Sequence, residues 1–409
     1  MNIEQPHILP EYTLILIRYG EVWLKSQKVK MRMLRVLINN IKKMLKKAKI
    51  SFHKYQLSKD SSRILFFFKN EDISKALEVL NNVFGVYSVS PALRTSNRIE
   101  HISQRVIEVG NYILKEKDTF AIRVKRSGKH DYTSMDVAKI VGKTILDNFK
   151  NLDIKVNLSS PKKVIFIEIR DNFSYIFSEI IKSNWGGLPI ETQKKIIVID
   201  IGRLNDLVSG FLLMKRGSMI YPILFQMTEK PELFNIWLSN WKELTKFIPF
   251  YQFILKRVNL LEILKFVIKK IDNKKYICGI CSLIRFDILS RIIESLYISS
   301  DIKVRAITEG ISLNNSTFCP DQVELNSIAL NYLFSNFPIF TPIIGLDLDE
   351  FNDLIKSISV NLKEFDYCEL KPKEQDFNLK ILKELYESLE LDEKIQQAIQ
   401  KIEEIKILE

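Results

Sequence analysis

Residues 196–217 read IIVIDIGRLNDLVSGFLLMKRG, and the fold of the chain turns on how this stretch is parsed. Its first half is a short apolar run of Ile and Val, the pattern of a strand buried on both faces. Its second half, LVSGFLLMKRG, reads as a helix that stops at Gly217 behind a Lys-Arg pair suited to a helix C-terminus. Residues 221–225 (YPILF) begin the next strand. Strand, turn, helix and strand in this order form a βαβ unit, whose first turn commonly receives phosphates. Here that turn is Gly202-Arg203-Leu204-Asn205-Asp206, with one glycine, a bulky arginine beside it and no serine or threonine. The architecture points to a nucleotide; the loop chemistry does not.

The chain has 409 residues, room for two or three domains with substantial cores. Its hydrophobic share of 46% and charged share of 27% are those of an ordinary globular protein rather than a disordered or fibrous one. No apolar run approaches the roughly 20 residues of a membrane span. The opening MNIEQPHILPEY also lacks the basic flank and apolar core of a signal peptide, so a cytoplasmic protein without a membrane partner is expected. The formal net charge of +12 points to a polyanionic partner. The excess is clustered: Lys25, Lys28, Lys30, Arg32, Arg35, Lys42, Lys43, Lys46, Lys47 and Lys49 crowd one segment, with Glu21 the acid nearby. Such a patch suits a phosphate backbone. Charge alone leaves an anionic membrane surface open as the alternative.

Residues 12–19 (YTLILIRY) and 62–68 (SRILFFF) read as strands, 28–47 as a basic amphipathic helix, and 73–83 as a helix ending near Gly85. A short strand at 86–89 completes the order β, α, β, α, β, a small α+β sandwich running to about residue 95. A helix at 99–114 and a strand at 120–124 (FAIRV) lead into the basic turn Lys125-Arg126-Ser127-Gly128-Lys129-His130. Ser134 is placed to cap the next helix, with Met135, Val137, Ala138, Ile140 and Val141 on its apolar side. Residues 155–158, 164–170 and 175–181 read as strands, the last two joined by a turn at Asp171-Asn172. The WGGLP at 185–189 breaks the pattern and marks a boundary. Beyond the βαβ unit come a helix at 260–271, a Cys-rich turn, a helix at 283–296, a strand at 303–308, a short element at 340–345 and a helix at 349–358. This alternation predicts an open, mostly parallel sheet with helices on both faces. From Asn378 onward the chain reads as charged helix.

Four cysteines are present, Cys278, Cys281, Cys319 and Cys368. In a cytosolic chain they are not expected to form disulfides. Cys278-Gly279-Ile280-Cys281 is a CxxC, a spacing that turns both sulfurs onto one metal or makes a redox pair. Cys368 suits a third ligand brought in from another sheet edge, giving three thiolates for an iron–sulfur cluster with one open iron. With Cys319 included, a closed Cys₄ zinc site is the competing reading. Two buried small residues are the bland one.

At these residues the chain resembles the tRNA 4-thiouridine synthases (tRNA uridine 4-sulfurtransferases), of archaeal type, over nearly its whole length. Ile17-Arg18-Tyr19-Gly20-Glu21-Val22-Trp23-Leu24-Lys25 is similar to the family's opening ferredoxin-like motif, and Val83-Phe84-Gly85-Val86-Tyr87-Ser88-Val89-Ser90-Pro91-Ala92 to its close. Arg123-Val124-Lys125-Arg126-Ser127, Tyr132-Thr133-Ser134-Met135 and Gly186-Gly187-Leu188-Pro189 resemble the THUMP domain. Met214-Lys215-Arg216-Gly217, Asn336-Phe337-Pro338-Ile339 and Pro342-Ile343-Ile344-Gly345-Leu346-Asp347 resemble the family's nucleotide domain. The resemblance implies an α/β and α+β multidomain protein. Residues 1–95 form a ferredoxin-like domain, 96–190 a THUMP RNA-binding domain, and 191–409 a parallel-sheet, Rossmann-like PP-loop pyrophosphatase domain with C-terminal helices.

It further implies that the first two domains grip the 3′ end of tRNA, with Arg18, Lys25, Lys125, Arg126, Lys129 and Tyr132 as the candidate RNA contacts. The third domain would adenylate a uridine oxygen before sulfur displaces AMP. Cys278, Cys281 and Cys368 fall at the family's cluster ligands. The sulfur donor would be a protein or sulfide, and assembly a homodimer or a complex with an active paralogue. One departure bears on the chemistry. The family's loop Ser-Gly-Gly-hydrophobic-Asp-Ser is here Ile201-Gly202-Arg203-Leu204-Asn205-Asp206, and its Thr-Gly-Glu is Thr308-Glu309-Gly310. Gly202, Arg203, Asn205 and Asp206 are thus an eroded ATP loop, at which ATP with magnesium is expected to bind weakly or not at all. Two functions follow: tRNA thiolation by sulfur transfer to uridine, or a non-catalytic tRNA-binding partner that has lost that activity.

Overall fold

A computed structural model describes residues 8–299, 304–313, 325–333, 335–364 and 368–408. It divides into two compact units, Met1–Pro189 and Ile190–Glu409. In the first unit, β1 (Leu14–Tyr19), α1 (Gln27–Lys47), β2 (Lys54–Leu57), β3 (Ile64–Phe67), α2 (Asn70–Asn81) and β4 (Val86–Ser96) follow one another. This is a βαββαβ order, with strands side by side as β2-β3-β1-β4. β2 has no counterpart among the expected strands, because its residues KYQL are mostly exposed at the sheet edge and carry no apolar pattern. There follow α3 (Ile99–Ile113), β5 (Thr119–Ser127), α4 (Ser134–Asn148), β6 (Lys155–Val156), β7 (Lys163–Arg170), β8 (Phe173–Phe177) and β9 (Ile181–Lys182).

β4 crosses the boundary expected near residue 95. It pairs with β1 up to Ala92 and with β8 from Leu93 to Ser96, so one sheet, β2-β3-β1-β4-β8-β7-β5-β6, runs through both halves of the unit. One face of this sheet carries the large core in which Leu34, Leu37, Leu77, Val106 and Val141 of α1–α4 are buried. The alternation of strand residues sends Leu14, Leu16, Leu65, Phe67, Tyr175 and Phe177 to a second, smaller core, against which Phe166 packs. The same alternation carries on to Arg18, Arg63, Glu168 and Arg170, which form an ionic hub instead. Glu168 Oε1 accepts from Arg18 Nη2 at 2.8 Å, and Oε2 accepts from Arg63 Nε and Arg170 Nε at 2.9 Å each.

Three local expectations are corrected. Lys125, Arg126 and Ser127 lie in β5, where they pair with Glu168, Ile169 and Arg170 of β7, so the turn proper begins at Gly128. Thr133, not Ser134, caps α4, in a reciprocal capping box with Asp136. Met135 and Ile140 are 63% and 46% exposed, because the buried stripe is Val137, Val141 and Ile145 at i, i+4 and i+8.

The second unit opens with β10 (Glu191–Asp200), α5 (Leu204–Lys215), β11 (Ser218–Gln226), α6 (Pro231–Glu243), β12 (Gln252–Asn259), α7 (Leu261–Lys270) and α8 (Ile277–Ser299). It continues with β13 (Val304–Thr308), α9 (Leu325–Leu330), β14 (Ile339–Phe340), α10 (Leu348–Ile358), α11 (Leu379–Ser388), α12 (Asp392–Gln400) and β15 (Glu403–Leu408). β14-β13-β10-β11-β12 are parallel, with β15 antiparallel at the edge. The open parallel sheet is as expected. The wholly helical C-terminus is not, since residues 403–408 pair with β12. The CxxC is no turn either: Cys278 and Cys281 lie in the first turns of α8. No helix among the described residues is long and apolar enough to cross a membrane.

Burial alone would raise the Glu168 carboxyl, but the charges of Arg18, Arg63 and Arg170 outweigh it and hold the group down at about 2. A depressed carboxylate contributes stability above its unfolded value, and that contribution is lost as pH falls from the ordinary 4.5 through about 2. At roughly 1.4 kcal/mol per unit the contribution is about 3 kcal/mol. Glu168→Gln is therefore expected to lower the urea midpoint of the protein near neutral pH and to flatten its acid loss over that window. Parallel pH curves for the two proteins would show that the charge is not used.

Candidate functional site

The turn after β10 is short because Gly202, at φ +95°, reverses the chain directly into α5. Leu204, Asn205 and Asp206, expected in the loop, are instead the first turn of α5, with Arg203 at its N-cap. A strand end meeting a helix N-terminus leaves several main-chain N–H groups without helical partners. Here carboxylates take them. Gly202 N–H donates to Asp200 Oδ1 at 2.7 Å, Ile201 N–H to Asp206 Oδ2 at 3.1 Å, and Gly310 N–H to Asp206 Oδ1 at 3.0 Å. Arg203 grips the same Asp206 carboxylate through Nη2 at 2.7 Å and Nε at 3.3 Å. Leu204 N–H donates to the carboxyl of Glu364.

The segment carrying Glu364 is strapped to α6. Asn240 exchanges hydrogen bonds with the backbone of Lys363 at 2.8 and 2.9 Å, and Ser359 Oγ donates to Glu243 at 2.6 Å. Gly310 lies against the loop so closely that a Cβ there would come within 2.5 Å of Asn205 and Asp206. Every residue from Ile201 to Gly210 is buried. Four main-chain donors at this junction, those of Ile201, Gly202, Leu204 and Gly310, are thus already engaged by carboxyl groups. Two further groups are held nearby. Trp237 and Trp241 of α6 each donate Nε1–H to Asp200 Oδ2 at 2.6 Å. Burial pushes the Asp200 carboxyl up, and the charge of Asp206 adds to the rise. Desolvation likewise raises Glu364 to about 7, although the residue as a whole is exposed; Leu204 N–H pulls the other way. Beside the loop, Ile201, Gly202, Phe225, Met227, Phe234 and Trp237 border a small apolar groove.

The cysteines share the core of this unit. Cys278 and Cys281, each 5% exposed, lie three residues apart on α8, and the Cys281 thiol faces Met227 Sδ at 3.7 Å. Cys368 packs against the same apolar cluster. Its neighbour Glu369 accepts a hydrogen bond from Thr228 Oγ1 at 2.7 Å, which ties that stretch to the end of β11. The sulfurs are soft donors of the kind iron–sulfur clusters and zinc take. They are not gathered into a ligand set, however: no group of three His, Cys, Asp or Glu side chains among the described residues could hold a metal ion. Cys319 lies outside the described residues.

In the first unit the six candidate RNA contacts separate. Lys25, Lys125, Arg126 and Lys129 are exposed. Arg18 is not: its side chain is 12% exposed, and its guanidinium is spent on Glu168 and on Ser90 Oγ at 3.0 Å. Tyr132 is half-buried and donates its hydroxyl to the Asn97 carbonyl at 2.7 Å, stacking on His130. His130 in turn lies 3.2 Å from the Asp171 carbonyl. These contacts hold the turn that presents Lys129, next to Arg126 at the end of β5. The β2–β3 hairpin adds exposed Lys59, whose N–H donates to Asp171 Oδ2 at 3.2 Å, while Ser127 Oγ donates to Asp60 at 3.0 Å. Of the N-terminal patch, Lys30 is buried with its ammonium 3.8 Å from the Trp23 ring centre.

Three family models match successive parts of the chain: ThiI ferredoxin-like domain at residues 14–90, THUMP domain at 96–179, and Thiamine biosynthesis protein (ThiI) at 191–391. A probable tRNA sulfurtransferase of Methanosarcina acetivorans is 30% identical over 387 residues, covering 93% of this chain and 89% of that one. The chain belongs to the tRNA sulfurtransferase family. A probable tRNA sulfurtransferase of Thermococcus kodakarensis is 29% identical over 358 residues, covering 85% of this chain and 88% of that one. Among solved structures, a 4-thiouridine synthetase in complex with RNA and bound ATP superimposes with a TM-score of 0.81 at 20% identity, over 97% of this chain and 100% of that one. At that identity the likeness establishes the shared fold.

Sequence reading missed the residues that complete both regions of this tRNA sulfurtransferase relative. Asp200, Trp237, Trp241 and Glu364 close the loop, and Arg63, Glu168 and Arg170 form the hub. Trp237 and Trp241 did carry a signal, since two indoles at i and i+4 on a buried helix face need acceptors for their N–H groups. Breaking a buried ion pair by removing one partner strands the other charge. Asp206→Ala is therefore expected to cost about 3–5 kcal/mol, read as a lower denaturant midpoint. An unchanged midpoint would mean the pair is not sealed in the folded protein.

Proposed function

We propose that the protein binds tRNA through its first unit and acts in tRNA thiolation, the transfer of sulfur to a uridine. The observation that carries this reading is a division among the cations of that unit. Arg18, Arg63 and Arg170 are neutralised inside by Glu168 and Asp60. Lys59, Lys125, Arg126 and Lys129 are left exposed on and around the ends of β5 and the β2–β3 hairpin. Cations on paired strands and a pinned turn meet a phosphate backbone with little ordering cost. Membership of the family extends across the second unit as well as the first, so a partner subunit without catalysis is not favoured over thiolation. The loop residues as they stand fit ATP poorly, because the N–H groups of Ile201, Gly202 and Gly310 are already engaged by carboxylates of the chain.

In the same reading Cys278, Cys281 and Cys368 are proposed to share one cofactor, an iron–sulfur cluster with zinc as the alternative. Its support is that all three sulfurs belong to a single apolar cluster. Binding requires the three thiols to be brought together within ligand distance of one site.

Two measurements test these proposals. In filter binding, Arg126→Glu should weaken tRNA retention and make the dependence of log K on log salt shallower by about 1, the share of one phosphate contact. Unchanged affinity and slope in Arg126→Glu and in Lys129→Glu would sink the assignment of this face. Anaerobically purified protein should carry iron and acid-labile sulfide, both lost in Cys278→Ala and Cys368→Ala. Protein with neither, or with one zinc per chain, would overturn the cluster.

A further inference from the structure

We infer that the phosphate loop of this chain is latched by an internal ligand: the Asp206 carboxylate, gripped by Arg203, occupies the donors that a nucleotide phosphate would need. This goes beyond the thiolation reading and does not depend on it. Phosphate sites at a strand–helix junction work because main-chain N–H groups converge on an empty position, and the helix end favours negative charge there. In this protein the converging donors are Ile201, Gly202, Leu204 and Gly310, and each already points at a carboxyl group. Asp206 satisfies two of them, Asp200 a third and Glu364 the fourth.

The occupant is locked from three sides. Arg203 forms a two-point contact to Asp206 at 2.7 and 3.3 Å, and the two side chains are 8% and 0% exposed. Gly310 packs on the backbone of Asn205 and Asp206 with no room for a side-chain atom between them. The Glu364 strap is fastened to α6 by Asn240. A phosphate entering this loop must displace Asp206, separate a buried ion pair and approach two further carboxyl groups. Displacing Asp206 opposes it most, since that carboxylate and a phosphate are like charges that repel strongly in a poorly solvated site, while Asp200 and Glu364 oppose it only in so far as they are ionised. Arg203 gives no compensation while its guanidinium is committed to Asp206. The loop therefore opens to a phosphate only when the Arg203–Asp206 contact breaks, which makes that contact an autoinhibitory latch.

Isothermal calorimetry on the full chain tests this directly, with magnesium–ATP and with inorganic pyrophosphate as probes. The wild-type protein should bind both with Kd weaker than about 1 mM. The double variant Arg203→Gly/Asp206→Ser removes occupant and clamp together, and should gain roughly tenfold or more in affinity for both probes. Micromolar ATP binding by the wild type overturns the latch. So does a double variant that melts cooperatively and gains nothing. Hydrogen exchange on the wild type gives a second readout that needs no variant. Amides 201–206 and 310 should be strongly protected and unchanged by millimolar ATP. Exchange in those amides that shifts on adding ATP would show the loop to be open. tRNA binding should be the same in wild type and double variant, so failure of the latch is distinguishable from failure of the tRNA assignment.

Discussion

Backbone N–H groups at the end of β10 and the start of α5 must find acceptors, and the way this chain supplies them organises its second unit. An unmet buried donor costs on the order of 1–3 kcal/mol, so several at one junction would undermine the fold. A family loop rich in glycine and serine can leave them to a ligand. Here Asp200, Asp206 and Glu364 provide the acceptors from within. That choice draws in everything around it: Arg203 to balance Asp206, two tryptophans of α6 to hold Asp200, and the 359–364 strap to deliver Glu364. The residues flanking the loop are thus a structural answer to the same requirement that a phosphate meets elsewhere.

The first unit solves a different problem with similar means. Its continuous sheet buries one face under four helices and folds its other face over a small apolar core. Strand alternation then pushes three arginines toward that second interior. Glu168 makes their burial tolerable, and its two oxygens join β1, the residue preceding β3, and β7 through a single side chain. By absorbing those arginines the hub also decides which cations remain outside. The exposed face is therefore set by the ion pairs beneath it as much as by total charge.

These two regions show why residue identity and residue role part company. Arg18 lies in a stretch that resembles the family's opening motif, yet it is largely buried and spends its guanidinium on Glu168. Tyr132 shapes the basic turn from below. Lys59 had no motif to mark it and is placed by a hairpin whose first strand has no apolar pattern. In the second unit the CxxC spacing was legible, while its position inside α8 and the placement of Cys368 against the same core depended on packing.

Sequence alone determined what rests on periodicity and local chemistry. The βαβ unit at 196–225, the parallel sheet, the break at 185–189, the tight turn at Asp171-Asn172 and the basic character of the first half all follow from local patterns. The edge strands β2 and β15 did not follow, because an edge needs only one partner and tolerates polar residues. The continuity of β4 across both halves of the first unit was equally hidden, since a strand's partners are chosen by distant segments. Whether Arg203 reaches outward or turns onto Asp206 was likewise left open by its neighbours in the chain. Only the tertiary structure decided that, because the geometry brings Gly310, Glu364 and α6 around a buried carboxylate. Once water is excluded there, the ion pair is the state that leaves the fewest charges unmet.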